Sequence, residues 1–227
     1  MTAKIRSALD RILFDRIAGS SNNPAFKPIV LFDTSTIIEL EGDQGSNAPG
    51  FLAVLHGKGF GIHFPELVLR EIALHNENYK RSGRPEIREA TTEMIGNVNN
   101  HFGVSYHKDG DGSFVNGCGS RFVNDKYVCT CTAPYCMGGL RYLVNGAIHE
   151  FSLEQGGESA IGIISRTDKQ LVEAAYLVGV KQYEIGLSRP IRVISLDNHV
   201  LGPIKHIANK KPVFHEKLDV NAIHGGR

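Results

Sequence analysis

Two apolar segments of this chain each end on an aspartate, and this pattern limits the fold more than any other feature. In PIVLFD the residues Ile29, Val30, Leu31 and Phe32 precede Asp33, and the segment IRVISLD ends at Asp197. Short, continuous apolar runs are typical of parallel strands that are covered on both faces. Ligand sites in parallel α/β sheets lie beyond the carboxyl ends of the strands. The pattern therefore predicts a mainly parallel sheet with two acids at its functional edge.

Helical and strand-like patterns alternate along most of the chain. Helical spacing of apolar residues predicts a helix in residues 3–17, another from about Thr36, and short helices in GFLAVLHG and near NHVLGPIKHIA. Further helices are predicted after Pro65, in RPEIREATTEMIGNVNNHF and in SRTDKQLVEAAYLVGV, while FGIHF and KPVF are further strand candidates. This order of elements predicts an α/β fold.

A glycine-rich segment without helical periodicity interrupts this alternation. Residues 103–157 are predicted to form a β-rich insertion, because Asn145-Gly146 suits a type I′ turn between the strand-like flanks RYLV and AIHEF. The expected organisation is an N-terminal helix and linker (1–27), a first domain part (28–102), the insertion (103–157), and a second part with a polar tail (158–227).

Composition places the chain among ordinary globular proteins. Its 227 residues are 41% hydrophobic and 22% charged, and 25 Lys and Arg residues against 24 Asp and Glu residues leave a net charge of +1. Such a balance gives no overall field for a polyanion, so a nucleic acid would have to bind a local patch. Neither a signal-peptide apolar core nor a membrane-spanning run is visible, so we expect a cytoplasmic protein without membrane contact.

Four acids fall at the ends of predicted strands or on the helices between them. They are Asp33, Glu71 in the helix after Pro65, Asp168 at the start of another helix, and Asp197. An aspartate after a strand is also a favoured helix cap, so a single one would carry no functional meaning. Several carboxylates that converge on one cleft repel one another unless a cation neutralises them, and hard divalent ions prefer oxygen ligands.

The segments around these acids resemble, in order, the motif blocks of PIN-domain ribonucleases. The blocks are IVLFDTSTIIEL, FPELVLREI, SRTDKQLVEAAYLVG and IRVISLDNHV, which together cover about residues 28–80 and 158–215. The resemblance implies a three-layer α/β/α domain that binds Mg²⁺ or Mn²⁺ and cleaves RNA as an endoribonuclease. Such chemistry is consistent with what carboxylate-held metals do, since they activate water and stabilise charge on phosphate.

The same resemblance assigns roles to individual residues. Asp33, Glu71, Asp168 and Asp197 become metal ligands, and Ser35 becomes a partner of a ligand or of the scissile phosphate. Glu66 is a poorer match than Glu71, because it lies beside the proline on the first turn. Glu158 either joins the acids or caps a helix. The haloacid dehalogenase phosphatases and receiver domains also end a strand on Asp, but the second acid that each requires is missing here.

The cysteines form one cluster, spaced C-x10-C-x-C-x4-C, which comprises Cys118, Cys129, Cys131 and Cys136. Four thiolates would suit a structural Zn²⁺, with His107 and His149 as alternative ligands. The spacing lacks the paired C-x2-C units of zinc ribbons, so small thiols packed in a β subdomain remain an alternative.

Partners are less well defined by the sequence. RNA would contact local basic clusters, of which one contains Lys80, Arg81, Arg84 and Arg88 and the other Lys205, Lys210, Lys211 and Lys217. A homodimer and an antitoxin-like protein partner are both left open. The alternative to a nuclease is a PIN-like RNA-binding or assembly module without catalysis, which would act through its cysteine-rich insertion.

Overall fold

The computed structural model describes residues 7–19, 26–43, 45–82, 84–102, 121–123, 126–128, 137–156, 164–187, 189–210, 215–216 and 218–226. The four cysteines, His107, Glu158 and the predicted strand KPVF lie outside these residues, as do the side chains of Lys80 and Arg81.

A four-stranded, all-parallel sheet organises the described part of the chain. Its strands are β1 (Ile29–Phe32), β2 (Gly61–His63), β5 (Ile191–Ser195) and β6 (Val220–His224), in the spatial order β2-β1-β5-β6. A separate antiparallel pair consists of β3 (Arg121–Val123) and β4 (Lys126–Val128). The predicted α/β class with a parallel sheet is confirmed, and the arrangement is consistent with three layers.

Eight helices accompany the strands in the described residues. They are α1 (Ala8–Gly19), α2 (Thr34–Gly42), α3 (Ala48–Gly57), α4 (Glu66–Ser82), α5 (Glu89–Val98), α6 (Met137–Gly156), α7 (Arg166–Glu184) and α8 (Asn198–Lys210). Within these ranges, no helix has the length and apolar character needed to cross a membrane.

The apolar runs became strands because both of their faces are covered. All four residues of β1 and all five of β5 are buried, and the core they form continues into α7 and into the N-terminal helix α1. Leu9, Leu13 and Ile17 of α1 belong to this core. The guanidinium of Arg16 also donates hydrogen bonds to the backbone oxygens of His224 and Gly226, which joins α1 to the end of β6.

The predicted hairpin at Asn145-Gly146 is wrong, because this segment lies within helix α6. Val144, Ala147, Ile148 and Phe151 follow the spacing of one helical face, and all four are buried in the core. The ring of Phe151 packs directly on α8, where a Cβ atom at Gly202 would lie 2.2 Å from it. This segment therefore forms a helix that packs against α7 and α8, although its residue types favour strands. A β-rich insertion over all of 103–157 is not found.

The predicted polar tail is also wrong in part, because residues 220–224 form the edge strand β6. This strand pairs with β5 in register, from Ile191 with Val220 to Ser195 with His224. Its polar residues, such as Asn221 and His224, are exposed, which is why no continuous apolar run marks the strand.

Replacing Gly146 by alanine tests the helix against the hairpin. No atom lies within 4 Å of the position that a Cβ would take at Gly146, so the change should raise the free energy of unfolding by about 0.5–1 kcal/mol. A type I′ turn would instead need a positive φ at this residue and would be destabilised. Urea unfolding distinguishes the two, with Gly96→Ala in α5, which has similar space, as the matched control.

Candidate functional site

Two neighbouring strands bring Asp33 and Asp197 to the same edge of the sheet. Asp33 follows β1 directly, and its N–H extends the ladder by donating to the carbonyl of Ile194, at 2.9 Å. Asp197 lies two residues after β5, the strand next to β1. Asp33 occupies the N-cap position of α2, but its carboxylate accepts no capping hydrogen bond. The Asp33 carboxylate is therefore buried, in a residue only 4% exposed, without capping the start of α2.

Two serine hydroxyls fix the carboxylate of Asp33. Ser35 Oγ and Ser195 Oγ both donate to its Oδ2, at 2.5 and 2.6 Å. Each hydroxyl also accepts a backbone N–H from the loop after β5, Ser35 from Leu196 at 3.1 Å and Ser195 from Asp197 at 2.9 Å. The serines thus connect the ends of the two strands through one carboxylate. Ser35 was predicted, whereas Ser195 was missed, although it stands two residues before Asp197 much as Ser35 stands two after Asp33.

Glu71 reaches the same cleft from helix α4. Thr34 Oγ1, on the first turn of α2, donates to Glu71 Oε2 at 2.7 Å and orients this carboxylate. Although the residue as a whole is exposed, partial burial of the carboxyl raises the pKa of Glu71 above its ordinary value. The hydrogen bond from Thr34 opposes this shift, and the charges of Asp33 and Asp168 add to it. Repulsion among the carboxylates therefore already acts on Glu71.

Asp168 and Asp197 each have a structural role as well as a place in the cleft. Asp168 forms a capping box with Ser165 at the start of α7, in which each side chain accepts the other residue's N–H at 3.1 Å. Asp197 Oδ1 accepts the N–H of His199 at 2.8 Å and so caps α8. Burial raises the pKa of Asp168, and the charges of Asp197 and Asp33 raise it further against the opposing bond from Ser165.

These acids line one cleft of about 280 Å³, which we call the acid cleft. All five residues that the sequence predicted as a site are among its walls, which comprise Asp33, Thr34, Ser35, Ile38, Glu71, Leu74, His75, Arg84, Asp168 and Asp197. The assembly of these side chains is a finding, while their role as ligands stays a prediction. Glu66 is exposed on the first turn of α4 and does not line the cleft.

His199 is a further candidate ligand that sequence reasoning missed. One potential ligand atom from each of Asp168, Asp197 and His199 lies within 4.8 Å of the others. The imidazole Nδ1 is 3.4 Å from Asp197 Oδ1, and His199 lies on the first turn of α8. The sequence signal for His199 was its position two residues after Asp197. When Asp197 caps α8, the N–H and the imidazole of His199 both lie close to the Asp197 carboxylate.

The donor set fits a hard divalent cation. Asp168, Asp197 and His199 bring two carboxylate oxygens and one imidazole nitrogen within 4.8 Å of one another, and Asp33 and Glu71 add carboxylates to the cleft that Asp168 and Asp197 line. Mg²⁺ and especially Mn²⁺ accept ligands of these types. Burial is the main cause of the raised pKa values of Glu71 and Asp168, and the charges of neighbouring acids add to it, so a bound cation would favour the ionised carboxylates.

A short segment after α4 contributes Arg84 to the wall of the acid cleft and is held by several hydrogen bonds. His75 Nε2 donates to the carbonyl of Pro85 at 2.8 Å, and the Asn76 amide bonds both the N–H and the carbonyl of Ile87. Further along, Glu41 of α2 accepts from Arg88 and from the hydroxyl of Thr91. These bonds hold Arg84 at the cleft, where its charge acts on Glu71 and favours the ionised carboxylate.

Comparisons with protein-family models, with curated proteins and with solved structures find no match to this chain.

Replacing Glu71 by glutamine should stabilise the metal-free protein at neutral pH. A carboxyl whose pKa is raised on folding contributes stability below its unfolded value of 4.5, and this contribution is lost as the pH rises through the folded value. Glutamine removes that loss while keeping an oxygen for the Thr34 hydroxyl. Thermal unfolding in EDTA should therefore give a higher midpoint for Glu71→Gln than for wild type at pH 7, and the difference should shrink toward pH 4.

The exposed Glu93 of α5 provides the matched control, since Glu93→Gln changes the same functional group away from the cleft. Equal midpoints for Glu71→Gln and wild type at pH 7 would contradict a raised pKa of Glu71 in the folded protein.

Proposed function

We propose that this chain is a divalent-metal-dependent endoribonuclease of the PIN type, which hydrolyses RNA phosphodiester bonds. The observation that carries the proposal is the convergence of Asp33, Glu71, Asp168 and Asp197 on one cleft at the carboxyl edge of a parallel sheet. The choice of RNA comes from the resemblance of the four sequence blocks to PIN-domain ribonucleases. Mg²⁺ or Mn²⁺, when bound, would activate a water and stabilise the charge that develops on the phosphate.

Hydrogen bonds within the chain orient the proposed metal ligands. Ser35 and Ser195 keep Asp33 in one orientation, so this ligand needs no reorganisation when a cation binds. Thr34 does the same for Glu71, and the capping bonds do so for Asp168 and Asp197. These hydrogen-bond partners are important, because loss of a group that orients a metal ligand typically lowers metal affinity or activity 10- to 100-fold.

Arg84 supplies a positive charge at the mouth of the acid cleft. It is exposed, lines the cleft beside Glu71, and lies on the segment that His75 and Asn76 fix. An arginine in this position suits a phosphate oxygen of the substrate, since its planar guanidinium donates two parallel hydrogen bonds. We therefore assign Arg84 to binding the RNA backbone close to the scissile bond.

The proposed activity is tested with Asp33, which makes no capping bond. Purified protein is incubated with a structured RNA and Mn²⁺, and cleavage is followed on a denaturing gel. Asp33→Asn and Asp197→Asn should each lower the cleavage rate by about 100-fold or more, since both remove a direct ligand rather than an orienting partner. Asp15→Asn, an exposed position on α1, should cleave like wild type.

Equal cleavage by wild type and both cleft variants would reveal a contaminating nuclease and reject the proposal. RNA binding without cleavage under any divalent metal would instead favour the non-catalytic binding module. Circular dichroism of each variant separates loss of activity from loss of structure, which matters most for Asp197 because it also caps α8.

The contribution of Arg84 is tested through the salt dependence of RNA binding. Removing one contact to a phosphate should reduce the slope of log K against log salt by about 0.7 for a single strand. In an Asp33→Asn background, which prevents turnover, Arg84→Gln should weaken binding and lower the slope by about this amount. Arg11→Gln, an exposed control on α1, should change neither quantity, and an unchanged slope for Arg84→Gln would exclude Arg84 from the residues that bind the RNA backbone.

A further inference from the structure

A second, larger cavity opens directly from the acid cleft. This cavity, which we call the side groove, has a volume of about 970 Å³ and lies between α2, the segment at Arg84 and Pro85, and the loop after β5. Ser35, Ile38, Arg84 and Asp197 line both the side groove and the acid cleft. Its volume falls in the range of ligand pockets, about 300–1,000 Å³. A nucleotide bound at the acids therefore has room for a neighbouring base in the side groove.

Helix α2 contributes a regular stripe to this groove. Ser35, Ile38, Glu39 and Gly42 all line it, at the i, i+3, i+4 and i+7 positions of one helical face. Residues four apart on a helix have Cβ atoms about 5–6 Å apart. Glu39 thus lies one turn from Ser35, which bonds Asp33, and this short separation suits the nucleotide next to the scissile phosphate.

The shape of the side groove is built into the fold. Pro85 packs against Gly42 so closely that a Cβ at Gly42 would lie 2.7 Å from Pro85 Cγ, and His75 holds the Pro85 carbonyl. On the other side, the N–H of Leu196 bonds Ser35 Oγ. Both walls are therefore attached to the elements that carry the acids, and the groove keeps a fixed relation to the acid cleft.

The lining selects a base rather than a phosphate. Glu39, Asp43 and Asp197 line the groove and would repel a phosphate placed among them. Arg84 lies where the groove meets the acid cleft, so its charge favours a phosphate there rather than beside Glu39. Ile38, Pro85 and Leu196 provide apolar surface for the faces of a planar, uncharged ring. Single-stranded RNA is recognised in this manner, by packing on a base and hydrogen bonding to its edges.

We propose that the side groove binds the base adjacent to the scissile phosphate and prefers guanine through Glu39. The half-buried Glu39 carboxylate can accept only. Guanine alone among the four bases offers two adjacent donors, N1–H and N2–H, on its Watson–Crick edge, whereas adenine, cytosine and uracil place an acceptor beside a donor. A carboxylate binds such a donor pair with two parallel, charge-assisted hydrogen bonds.

Asn198 complements this recognition. Its amide lies on the same groove, at the first residue of α8, and can donate to the O6 or N7 acceptors of guanine. In this arrangement the Glu39 carboxylate accepts from N1–H and N2–H of guanine, and the Asn198 amide donates to O6 or N7. This inference rests on the proposed nuclease function, because it assumes that RNA lies across the acid cleft.

Binding of short RNAs tests the inference without requiring cleavage. The full chain with Asp33→Asn is titrated with hexauridylates that carry one central guanosine, inosine or adenosine, and affinity is measured by fluorescence anisotropy. Inosine lacks only the N2 amino group of guanosine, so it removes one of the two donors. Guanosine should bind about 10-fold tighter than inosine, in line with the discrimination of a bidentate base contact.

Glu39→Gln in the same background should abolish this difference, while Glu93→Gln, a matched control on α5, should retain it. Equal affinity for guanosine and inosine overturns the inference, and so does a preference that survives Glu39→Gln. Separately, 5′ and 3′ ends of products from a randomised RNA pool should show guanine beside the cut for otherwise wild-type protein and lose it for Glu39→Gln. Guanosine selectivity in binding without any cleavage would reject the nuclease activity and leave the base pocket standing.

Discussion

The pairing of β1 with β5 is the constraint on which the rest of the site depends. Because the two strands are parallel neighbours, Asp33 and Asp197 lie at the same edge of the sheet. The hydroxyls of Ser35 and Ser195 then fix the orientation of the Asp33 carboxylate. Helices α4 and α7 then add Glu71 and Asp168. Burial raises the pKa values of Glu71 and Asp168, and the charges of neighbouring acids raise them further, so the fold holds these carboxyl groups where their ionisation is unfavourable and a bound cation would offset that cost.

Much of this arrangement follows from the sequence, since a buried parallel strand must be largely apolar, with any polar side chain paired as Arg192 is with Asp219, and must stop where the chain reaches solvent. The runs before Asp33 and Asp197 satisfy that requirement, and strands bordered by helices admit few sheet arrangements. The convergence of Glu71 and Asp168 could be anticipated only through the family resemblance. Their spacing along the chain does not reveal which helices meet above the sheet edge.

Other features depend on contacts that are distant in sequence. Residues 144–151 carry both strand-forming types and helical spacing, and the ring of Phe151 against Gly202 decides between them. Edge strand β6 lacks an apolar run because Asn221 and His224 are exposed to solvent. Ser195 and His199 are recognised as members of the site only when the fold shows that Ser195 bonds Asp33 and that His199 lies near Asp168. Glu39 is similar, because its groove exists only when Pro85 is fixed against Gly42.

The capping bonds of Asp168 and Asp197 have a consequence for how such a chain would change over evolutionary time. Both acids also begin helices, and the buried Asp33 carboxylate joins the ends of β1 and β5 through Ser35 and Ser195. The exposed Glu71, in contrast, is engaged by a single hydroxyl. A lineage no longer selected for the function of the acid cleft would still be selected to fold. Such a lineage would lose Glu71 first and keep Asp33, Asp168 and Asp197, so the acids that survive longest would be those that say least about the function of the cleft.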